Sequence, residues 1–559
     1  MVRAACGAIR CRCRPTARPE WLRYTRDAST FSLQTRKENN DRFTSCAPRA
    51  CAVAKNATAR RKTRAATRDG RPGRNGVLCR PAAQRADTST LVIGQSQDIT
   101  DFNPWSFKGY SYNVTSQLFD TPIRYDASGK PQPQLATSWQ QAPDGKSMTL
   151  HLRSGVHFHN GDAFTSADIA YSIKAATDPA NVANLAPLAE LVTKVDTPDT
   201  QTAVLHYAKP NPAALDLLEL LYVADHNHPD TVRTDTNGTG PFVLEKFDPG
   251  QEVTLSASTD YWGGAPSLKT VKIEVLPDAA TTIAQLKTGS VNLSTRMAPQ
   301  DVASLAGDSS IATGAAAQGQ GYLSFDVNTS RPPLNNPVVR QAFSLALDRA
   351  RIAKEIVGPA TPSACLPYPK TSLAYFEDLD QTCKFDLAQA KTLLAQAGVP
   401  NLSVTIQTSS AESPELTQMS QIFQADLKSI GVDAKVDDLD DPTYVKDRQN
   451  SQFEIEAHAY GRAGGDPATM FGTANSWVVG KNPQNFNQSD YASAVSAGGS
   501  VLDPDVRKQA YRRVDQIILD QNFVLVAAEN TQPWASSKNL AGVEFTAEGL
   551  LVLHHAHFS

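Results

Sequence analysis

Strand-like and helix-like segments alternate along this chain from about residue 90 to its end. The segment 90–96 is β-rich, and 147–158 alternates apolar and polar residues as a half-buried strand does. Between such segments lie amphipathic patterns, and 335–358 is predicted to be one helix with an apolar stripe along one side. This interleaving predicts an α/β fold. A chain of 559 residues is too long for one core, so we expect roughly three or four domains.

The first 87 residues differ from the rest in charge and cysteine content. They hold 21 Lys and Arg against 6 Asp and Glu, a net charge of +15, which leaves −18 for the remainder of a chain whose total is −3. Six of the eight cysteines also lie in this part. Because the segment has no periodic apolar pattern, we expect residues 1–89 to be disordered.

Three interpretations of this basic segment stay open. It could bind nucleic acid or a membrane surface, act as a transit-like peptide, or come from a wrong reading frame or a start site placed too far upstream. We favour the third, because Arg, Ala, Pro and Cys follow one another without pattern. The junction "RPAAQRADTSTLVIG" also has the small residues that follow a secretory cleavage site, although the apolar region of a signal peptide is missing.

The stretch "GVHFHNGDAFTSADIAYSI", 155–173, concentrates polar groups that suit either a metal site or a scaffold. His157 and His159 fall on one face of a predicted strand, opposite an apolar face. Thr165 and Asp168 have the spacing of a helix capping box, which gives both a structural role. No third metal ligand is indicated nearby, so we interpret the stretch as scaffold and predict no metal site.

No catalytic or cofactor motif is present in the sequence. It lacks Gly-x-Ser-x-Gly, a Walker loop, His-Glu-x-x-His and Cys-x-x-Cys. The acidic remainder argues against a nucleic-acid partner, and no apolar run reaches the ~18 residues of a membrane helix. The histidine clusters at 225–230 and 554–558 are predicted to be a loop and a frayed tail rather than metal sites. The chain is therefore predicted not to be an enzyme and to need no cofactor.

One long stretch resembles a known protein family. "ATSWQQAPDGKSMTLHLRSGVHFHNGDAFTSADIAYSI", 136–173, resembles the hallmark region of the family 5 extracytoplasmic solute-binding proteins, the peptide- and nickel-type receptors of ABC importers. "GTGPF", "PPLNNPVVRQAFSLALDR" and "AKTLLAQAG" follow in the family's order and spacing. The resemblance covers about residues 90–550.

The resemblance implies a clamshell of two lobes with an extra domain and a ligand held between the lobes. It implies a periplasmic or other extracytoplasmic monomer that captures a peptide, a peptide-derived molecule or another small solute. The loaded protein would then dock on the permease and ATPase complex of an ABC importer. The alternative is a sensory or chaperone-like protein that binds a partner protein on the same scaffold. The implied divisions are 90–125 with 238–318 and 527–559 for lobe I, 126–237 for the extra domain, and 319–526 for lobe II.

Two loops carry the ligand contacts that the resemblance implies. The first follows the first strand and contributes Trp105, Lys108, Gly109 and Tyr110; the alternative is a surface loop that happens to be aromatic. Tyr322 and Trp477 are further candidates, because aromatic side chains commonly line such pockets, although most of them lie in cores.

The second loop is "YGRAGGDPATMF", 460–471, in which Asp466 belongs to the implied site. Dipeptide-type members carry an aspartate here that binds the peptide's α-ammonium, and Ala463 takes that position in this chain. The neighbouring Arg462 would favour a carboxylate or phosphate. The absence of this aspartate at position 463 argues against a free peptide as the ligand. Anionic solutes, metal chelates and glycans remain candidate ligands. The alternative for Arg462 is a surface salt bridge.

Cys365 and Cys383 are the only cysteines outside the basic segment. In an oxidising compartment the pair would close a loop and stabilise the fold by roughly 2–4 kcal/mol. We therefore predict a disulfide between them. The alternative is two buried thiols.

Overall fold

The computed structural model of the protein describes residues 88–99, 101–106, 111–181, 183, 185–229, 236–316, 321–358, 361–399, 401–461 and 465–559. All of them belong to the unit Ala83–Ser559. The prediction of disorder for 1–89 therefore lies almost wholly outside the described residues.

Strands and helices alternate along the described chain, as the sequence pattern predicts. The strands are β1 (Thr90–Gln95), β2 (Ile123–Tyr125), β3 (Pro131–Pro133), β4 (Ala136–Gln141), β5 (Ser147–Leu152), β6 (Val192–Asp199), β7 (Thr202–Tyr207), β8 (Phe242–Asp248), β9 (Glu252–Ala257), β10 (Thr270–Val275), β11 (Leu293–Thr295), β12 (Ile311–Ala315), β13 (Gly321–Val327), β14 (Ser403–Thr408), β15 (Asp433–Asp438), β16 (Ile455–Gly461), β17 (Val524–Glu529), β18 (Pro533–Ser537), β19 (Leu540–Ala541), β20 (Glu544–Phe545), β21 (Leu551–Val552) and β22 (His557–Phe558). The helices are α1 (Tyr112–Leu118), α2 (Ser166–Ala176), α3 (Ala186–Ala189), α4 (Ala214–Leu220), α5 (Ala279–Thr288), α6 (Pro299–Leu305), α7 (Pro337–Ala346), α8 (Arg349–Ile352), α9 (Glu377–Asp380), α10 (Leu387–Gln396), α11 (Pro414–Ser429), α12 (Asp441–Gln449), α13 (Pro467–Thr473), α14 (Ser489–Gly499) and α15 (Pro504–Gln521).

The largest sheet has seven strands in the order β12-β18-β11-β1-β10-β9-β8. At its centre β1 runs parallel to β10 on one side and to β11 on the other. Leu91 and Ile93 of β1 point to one face of the sheet and are fully buried, whereas Val92 on the other face is partly buried. Because these three strands are parallel, the loops that follow them leave the sheet at the same edge.

A second sheet has five strands in the order β15-β14-β16-β13-β17. β14 runs parallel to β15 and β16, and every residue of β13 is buried. On one face Phe343 of α7 and Phe423 of α11 pack against Phe325 of β13 in a common apolar core. The loop after β14 therefore leaves this sheet at the carboxyl end of a parallel strand, next to α11.

A third sheet is antiparallel, in the order β4-β5-β7-β6. β5 buries Met148, Leu150 and Leu152 and leaves the residues between them partly or fully exposed. The buried face packs against α2, where Ile169 and Ile173 lie in the same core. The period-2 pattern of 147–158 thus predicts the right buried face.

The chain passes between the two larger sheets at two places. One passage joins β12 to β13, and the other joins β17 to β18. They are hydrogen-bonded to each other: the Ala316 N–H donates to the Gln532 carbonyl at 2.9 Å, and the Asn530 N–H donates to the Gly321 carbonyl at 2.8 Å. The lobe boundaries given above stay a prediction, and the one between 526 and 527 falls inside β17.

The helix predicted over 335–358 is broken in the structure. α7 ends at Ala346, and α8 begins at Arg349 after an extended residue, Leu347. The Asp348 carboxylate accepts a hydrogen bond from the Arg351 N–H at 2.9 Å and so caps the second helix. The prediction of one continuous helix is wrong because a capping aspartate lies within its apolar pattern. Among the described residues, no helix combines the length and the hydrophobicity needed to cross a membrane.

Candidate ligand-binding site

The stretch 155–173 follows β5, which ends at Leu152 and not at residue 158 as the alternating pattern predicts. It forms an isolated β-bridge between His157 and Ala163, a turn and most of α2. Val156 and Phe158 are buried, while His157 is exposed on the other side. His159 is held by backbone: its Nε2 lies 3.0 Å from the Gly240 carbonyl oxygen. Burial lowers the pKa of this imidazole. Thr165 caps α2, and its N–H donates to the Asp168 carboxylate at 2.7 Å, within a capping box.

The polar residues of this stretch meet the histidine cluster at 225–230. His226 Nδ1 lies 2.7 Å from the buried Asp168 carboxylate, and His228 Nε2 lies 3.2 Å from that of Asp162. The buried Asp225 carboxylate accepts hydrogen bonds at 3.2 Å from the amide of Asn160. These groups supply ligand types that divalent cations use, in two sets of three. In the structure their polar atoms already bond to one another or to amides.

Another buried carboxylate joins the "GTGPF" motif to a neighbouring pair of aromatic residues. Asp120 accepts hydrogen bonds from the Thr239 hydroxyl at 3.1 Å, the Tyr261 hydroxyl at 3.1 Å and the Trp262 indole N–H at 2.8 Å. Thr239 belongs to the "GTGPF" motif, and the two aromatic residues open "YWGGAPS". Burial raises the pKa of Asp120 although these donors favour its charged form.

The carboxyl-terminal histidines are also part of the fold. His554 Nε2 lies 3.0 Å from the Gly264 carbonyl oxygen, and its ring packs edge-on against Tyr261 at 4.8 Å. β22 pairs with β19. The prediction of a frayed tail is therefore wrong, since strand pairing and aromatic packing fix the end of the chain.

A cavity of about 650 Å³ lies between the seven-stranded and the five-stranded sheets. Ser96, after β1, and Thr295, at the end of β11, line one wall. Ser410, after β14, and Ala459 of β16 line the opposite wall. The chain passage at 530–533 closes one side. The carboxyl ends of parallel strands in two different sheets thus face one crevice, the usual place for ligands in α/β proteins.

Charged side chains line this cavity from both walls. Among the described lining residues, Asp301, Glu412 and Glu415 are acidic and Arg296 is basic. Arg296 has a left-handed backbone with φ of +55°, and its guanidinium lies 5.7 Å from the ring of Tyr112. Positive φ is costly for a residue with a side chain, so the turn after β11 is held in its shape by its surroundings.

An ionic network lies behind the wall formed by Glu412. Arg448 Nη2 lies 3.7 Å from the Glu412 carboxylate, and Arg448 Nε donates to Glu456 at 2.7 Å. Arg448 also donates to the Tyr444 hydroxyl and lies over its ring. Glu456 is only 1% exposed. Burial, partly offset by the charge of Arg448, raises the pKa of Glu456 to about 7.

Asp326 adds a third carboxylate to this network. It is fully buried on β13, directly opposite Glu456 in the strand register, and accepts a hydrogen bond from the Ser476 hydroxyl at 2.6 Å. Burial raises its pKa to about 6, whereas the charge of Arg448 acts in the opposite direction. Arg448 therefore forms ion pairs with Glu412 and Glu456, and its charge also acts on Asp326.

Three aromatic candidates from the sequence lie in cores. Trp105 is fully buried, and its indole N–H donates to the Tyr222 carbonyl at 2.9 Å. Tyr322 and Trp477 both pack against Tyr460, at ring distances of 6.1 Å and 5.5 Å. These positions are typical of core side chains and by themselves do not support a ligand contact, so a contact by Trp105, Tyr322 or Trp477 stays a prediction.

Asp466 has structural partners in the structure. It caps α13 by accepting a hydrogen bond from the Ala468 N–H at 2.8 Å, and it forms an ion pair with Arg507. Its own N–H donates to the buried Asp216 carboxylate at 2.8 Å. These partners account for an aspartate at this position without a ligand. Lys108, Gly109, Tyr110, Arg462 and Ala463 lie outside the described residues, so their predicted contacts have no structural counterpart here.

The Cys365 and Cys383 sulfurs form a disulfide, with the two Cα atoms 5.8 Å apart. The loop between them is also held by Asp380, whose carboxylate accepts hydrogen bonds from the Cys365 and Leu366 N–H groups at 2.9 and 3.0 Å. Covalent and polar contacts therefore fix this loop together.

Sequence reasoning missed the cavity residue Glu412 and its partner Arg448 behind the wall. They lie 36 positions apart in the chain (448 − 412) and belong to no local motif. A partial signal was available, because "SVTIQTS", 403–409, is a β-rich run and Glu412 lies just after it, where ligand-binding loops commonly lie.

Comparison with known proteins agrees with this geometry. Residues 130–482 match the family model described as bacterial extracellular solute-binding proteins, family 5 middle. The chain belongs to this family. The match contains the third sheet, three of the four strands named at the cavity walls (β11, β14 and β16) and the loop with Glu412. The resemblance inferred from residues 136–173 is thereby confirmed.

Curated relatives and solved structures extend the match over most of the chain. It is 28% identical to heme-binding protein A of Haemophilus influenzae over 78% of this chain and 87% of that protein. It is 25% identical to the dipeptide-binding protein of Escherichia coli over 81% of this chain and 92% of that protein. A dipeptide-binding protein of Pseudoalteromonas sp. SM9913, solved with Met-Leu, superposes with a TM-score of 0.73 at 22% identity and covers 84% of this chain and 100% of that structure. The predicted α/β clamshell fold is thereby confirmed.

Proposed function

We propose that this protein captures a small solute in the cavity between its two larger sheets and delivers it to the permease of an ABC importer. The cavity itself carries the proposal. Its walls come from two sheets that are joined only by two passages among the described residues, so a ligand in it would contact both sides. A solute that contacts both sides stabilises the closed form relative to the open one.

The two passages suit a hinge. They bond to each other through the Ala316–Gln532 and Asn530–Gly321 backbone hydrogen bonds. Rotation about such a pair of strands would open the cavity while leaving each sheet with its own core. In hinge closure of this kind, the backbone torsions of a few residues change while the rest of each lobe keeps its structure.

Family membership supports a receptor rather than an enzyme. The relatives named above are binding proteins, and the family is one of extracellular solute-binding proteins. We therefore place the protein outside the cytoplasm, as a monomer whose partners are its solute and an importer complex.

The solute class is part of the proposal. Relatives are named for dipeptides and for heme, which supports a peptide-like or peptide-derived molecule or another small solute. The replacement of the expected aspartate by Ala463, beside Arg462, distinguishes this chain from dipeptide receptors. An unmodified dipeptide is therefore the less favoured ligand.

A thermal-shift screen of the full chain tests this function. The panel holds short peptides, amino-acid conjugates, oligosaccharides, and nickel or iron chelates. A ligand at a hundred times its Kd should add about 2.7 kcal/mol of stability, which raises Tm by a few degrees. A saturable shift with one class would support solute capture and name the class.

A folded protein that no class stabilises would contradict the proposal. The partner-binding alternative would then gain weight, and capture of a sensor or permease component by the unliganded protein would support it.

A further inference from the structure

We propose that Glu412 binds a positively charged group of the captured solute, an ammonium or a guanidinium. This inference rests on the proposed function, because it concerns the same cavity. It goes beyond that function by assigning a residue and a charge to the ligand.

The position of Glu412 suits direct contact with a ligand. It lies in the loop between β14 and α11 and lines the cavity. Its side chain is 31% exposed, whereas that of its partner Arg448 is 11% exposed. Glu412 is therefore a cavity-lining residue whose side chain stays partly accessible beside the guanidinium, so a solute in the cavity can reach it.

The distance between the two side chains leaves room for a second partner. Arg448 lies 3.7 Å from Glu412 but only 2.7 Å from Glu456. The closer pair is the deeper one, since Glu456 is 1% exposed. Arg448 is thus committed mainly to Glu456, and Glu412 keeps acceptor capacity for a donor from the cavity.

The charge balance behind the wall points the same way. Arg448 is the ion-pair partner of both Glu412 and Glu456, and the carboxylate of Asp326 lies opposite Glu456 in the strand register. Burial raises the pKa of Glu412, and the charge of Arg448 lowers it only in part. An additional cation in the cavity would therefore stabilise the ionised form of Glu412, because an opposite charge nearby favours the charged form of a carboxyl group.

The rest of the described lining does not reverse this balance. Asp301 and Glu415 add two carboxylates to the cavity, and Arg296 adds one cation. Glu415 accepts a hydrogen bond from the Ser413 hydroxyl at 2.5 Å, so its carboxylate already has a donor from its own loop. Glu412 is the lining carboxylate with a charged network behind it, which is why the proposal assigns the contact to this residue.

Matched probe pairs test the charge. The full chain is titrated calorimetrically with Ala-Lys and Ala-norleucine, with Ala-Arg and Ala-citrulline, and with Ala-Ala and its N-acetyl form. Each pair differs in one positive charge; the first two pairs are similar in size, and the third also differs by an acetyl group. In at least one pair the cationic member should bind at least tenfold more tightly, which corresponds to about 1.4 kcal/mol.

Variants locate the effect. Glu412→Gln should reduce that preference to less than threefold, because the amide keeps the size and loses the charge. Glu377→Gln is the matched control: Glu377 is exposed on α9, accepts a hydrogen bond from Gln381 at 3.2 Å and does not line the cavity. It should leave the preference unchanged.

Two results would overturn the inference. One is equal affinity for both members of every pair that binds and, where no dipeptide binds, for the best cationic solute of the screen and its uncharged analogue; the other is a tenfold preference that survives in Glu412→Gln. If a solute class stabilises the protein in the thermal-shift screen while a positive charge makes no difference to affinity, the cation contact is refuted and solute capture stands. A screen with no hit would refute both.

Discussion

Two regions of the molecule contain several carboxylates, and the carboxylates of the two regions have different kinds of partner. Around the third sheet, Asp120 has three neutral donors and Asp168 has a backbone N–H and a histidine. At the cavity wall, Arg448 forms ion pairs with Glu412 and Glu456, and its charge also acts on Asp326. The first region has many polar residues in a short stretch of sequence, and the second has few.

This difference teaches how a scaffold and a site can be distinguished. Dense polar sequence motifs are satisfied within the fold when each acceptor has its own donors, and they then stabilise the structure. A binding wall instead keeps acceptors that are shared or only partly used, because a ligand must complete them. The predictions below test that contrast, from the largest expected effect to the smallest.

Replacing Asp120 should produce the largest loss of stability. Asp120→Ala removes the acceptor for Thr239, Tyr261 and Trp262, and each buried donor left unsatisfied costs roughly 1–3 kcal/mol. We expect the free energy of unfolding in urea to fall by at least about 3 kcal/mol. Asp260→Ala, at a neighbouring exposed position, should change it by less than about 0.5 kcal/mol. Similar small effects for both variants would show that the Asp120 contacts are not structural.

Removal of the disulfide should have the next largest effect. Cys365→Ser with Cys383→Ser frees a loop of 18 positions and should lower the free energy of unfolding by roughly 2–4 kcal/mol. Peptide mapping after alkylation without reduction should find both native cysteines unmodified. Alkylated Cys365 and Cys383 in the oxidised, folded protein would contradict the bond.

Asp216 should make stability depend on pH. Its carboxylate accepts hydrogen bonds from Tyr125 at 2.9 Å, from the Asp466 N–H at 2.8 Å and from Thr469. Burial and the charge of Asp466 raise its pKa to about 6, from 3.8. The folded state therefore holds this proton more tightly than the unfolded state, and its contribution to stability is lost as pH rises from about 4 through 6.

Asp216→Asn removes this titration. The stability of the wild type relative to Asp216→Asn should be greater at pH 4.5 than at pH 7, by about 1–2 kcal/mol in urea unfolding. A stability difference that is the same at both pH values would show that Asp216 does not titrate in this range.

The smallest effect on stability is expected at the cavity wall. Glu412→Gln breaks only a partly exposed ion pair at 3.7 Å, so the free energy of unfolding without ligand should change by less than about 0.5 kcal/mol. The expected loss of stability is therefore much smaller for Glu412 than for Asp120, although both are carboxylates with polar partners. A loss above 2 kcal/mol would place Glu412 among the structural residues and weaken the contrast.

Local sequence patterns predict much of the fold. The capping box of Thr165 and Asp168 and the buried face of β5 follow from spacing alone. The break between α7 and α8 does not follow from spacing. An aspartate such as Asp348, which caps α8, is equally compatible in sequence with an exposed position inside a continuous helix.

The cavity could not be predicted from such patterns. Its walls join Ser96, Thr295, Glu412 and Asn530, which are far apart in the chain and meet only through strand pairing. β1, for example, pairs with β10 about 180 positions later, Thr90 with Thr270. The aromatic candidates Trp105 and Trp477 were chosen by residue type, and residue type does not separate a pocket from a core.

Titration of the best solute from the screen against a blocked cavity tests the central claim most directly. Ala411 is exposed and lines the cavity, so Ala411→Trp should fill the space without disturbing a core. Ala388→Trp, exposed on α10 away from the cavity lining, is the control. Solute capture between the sheets predicts at least tenfold weaker calorimetric affinity for Ala411→Trp and unchanged affinity for Ala388→Trp. Wild-type affinity in Ala411→Trp would contradict it.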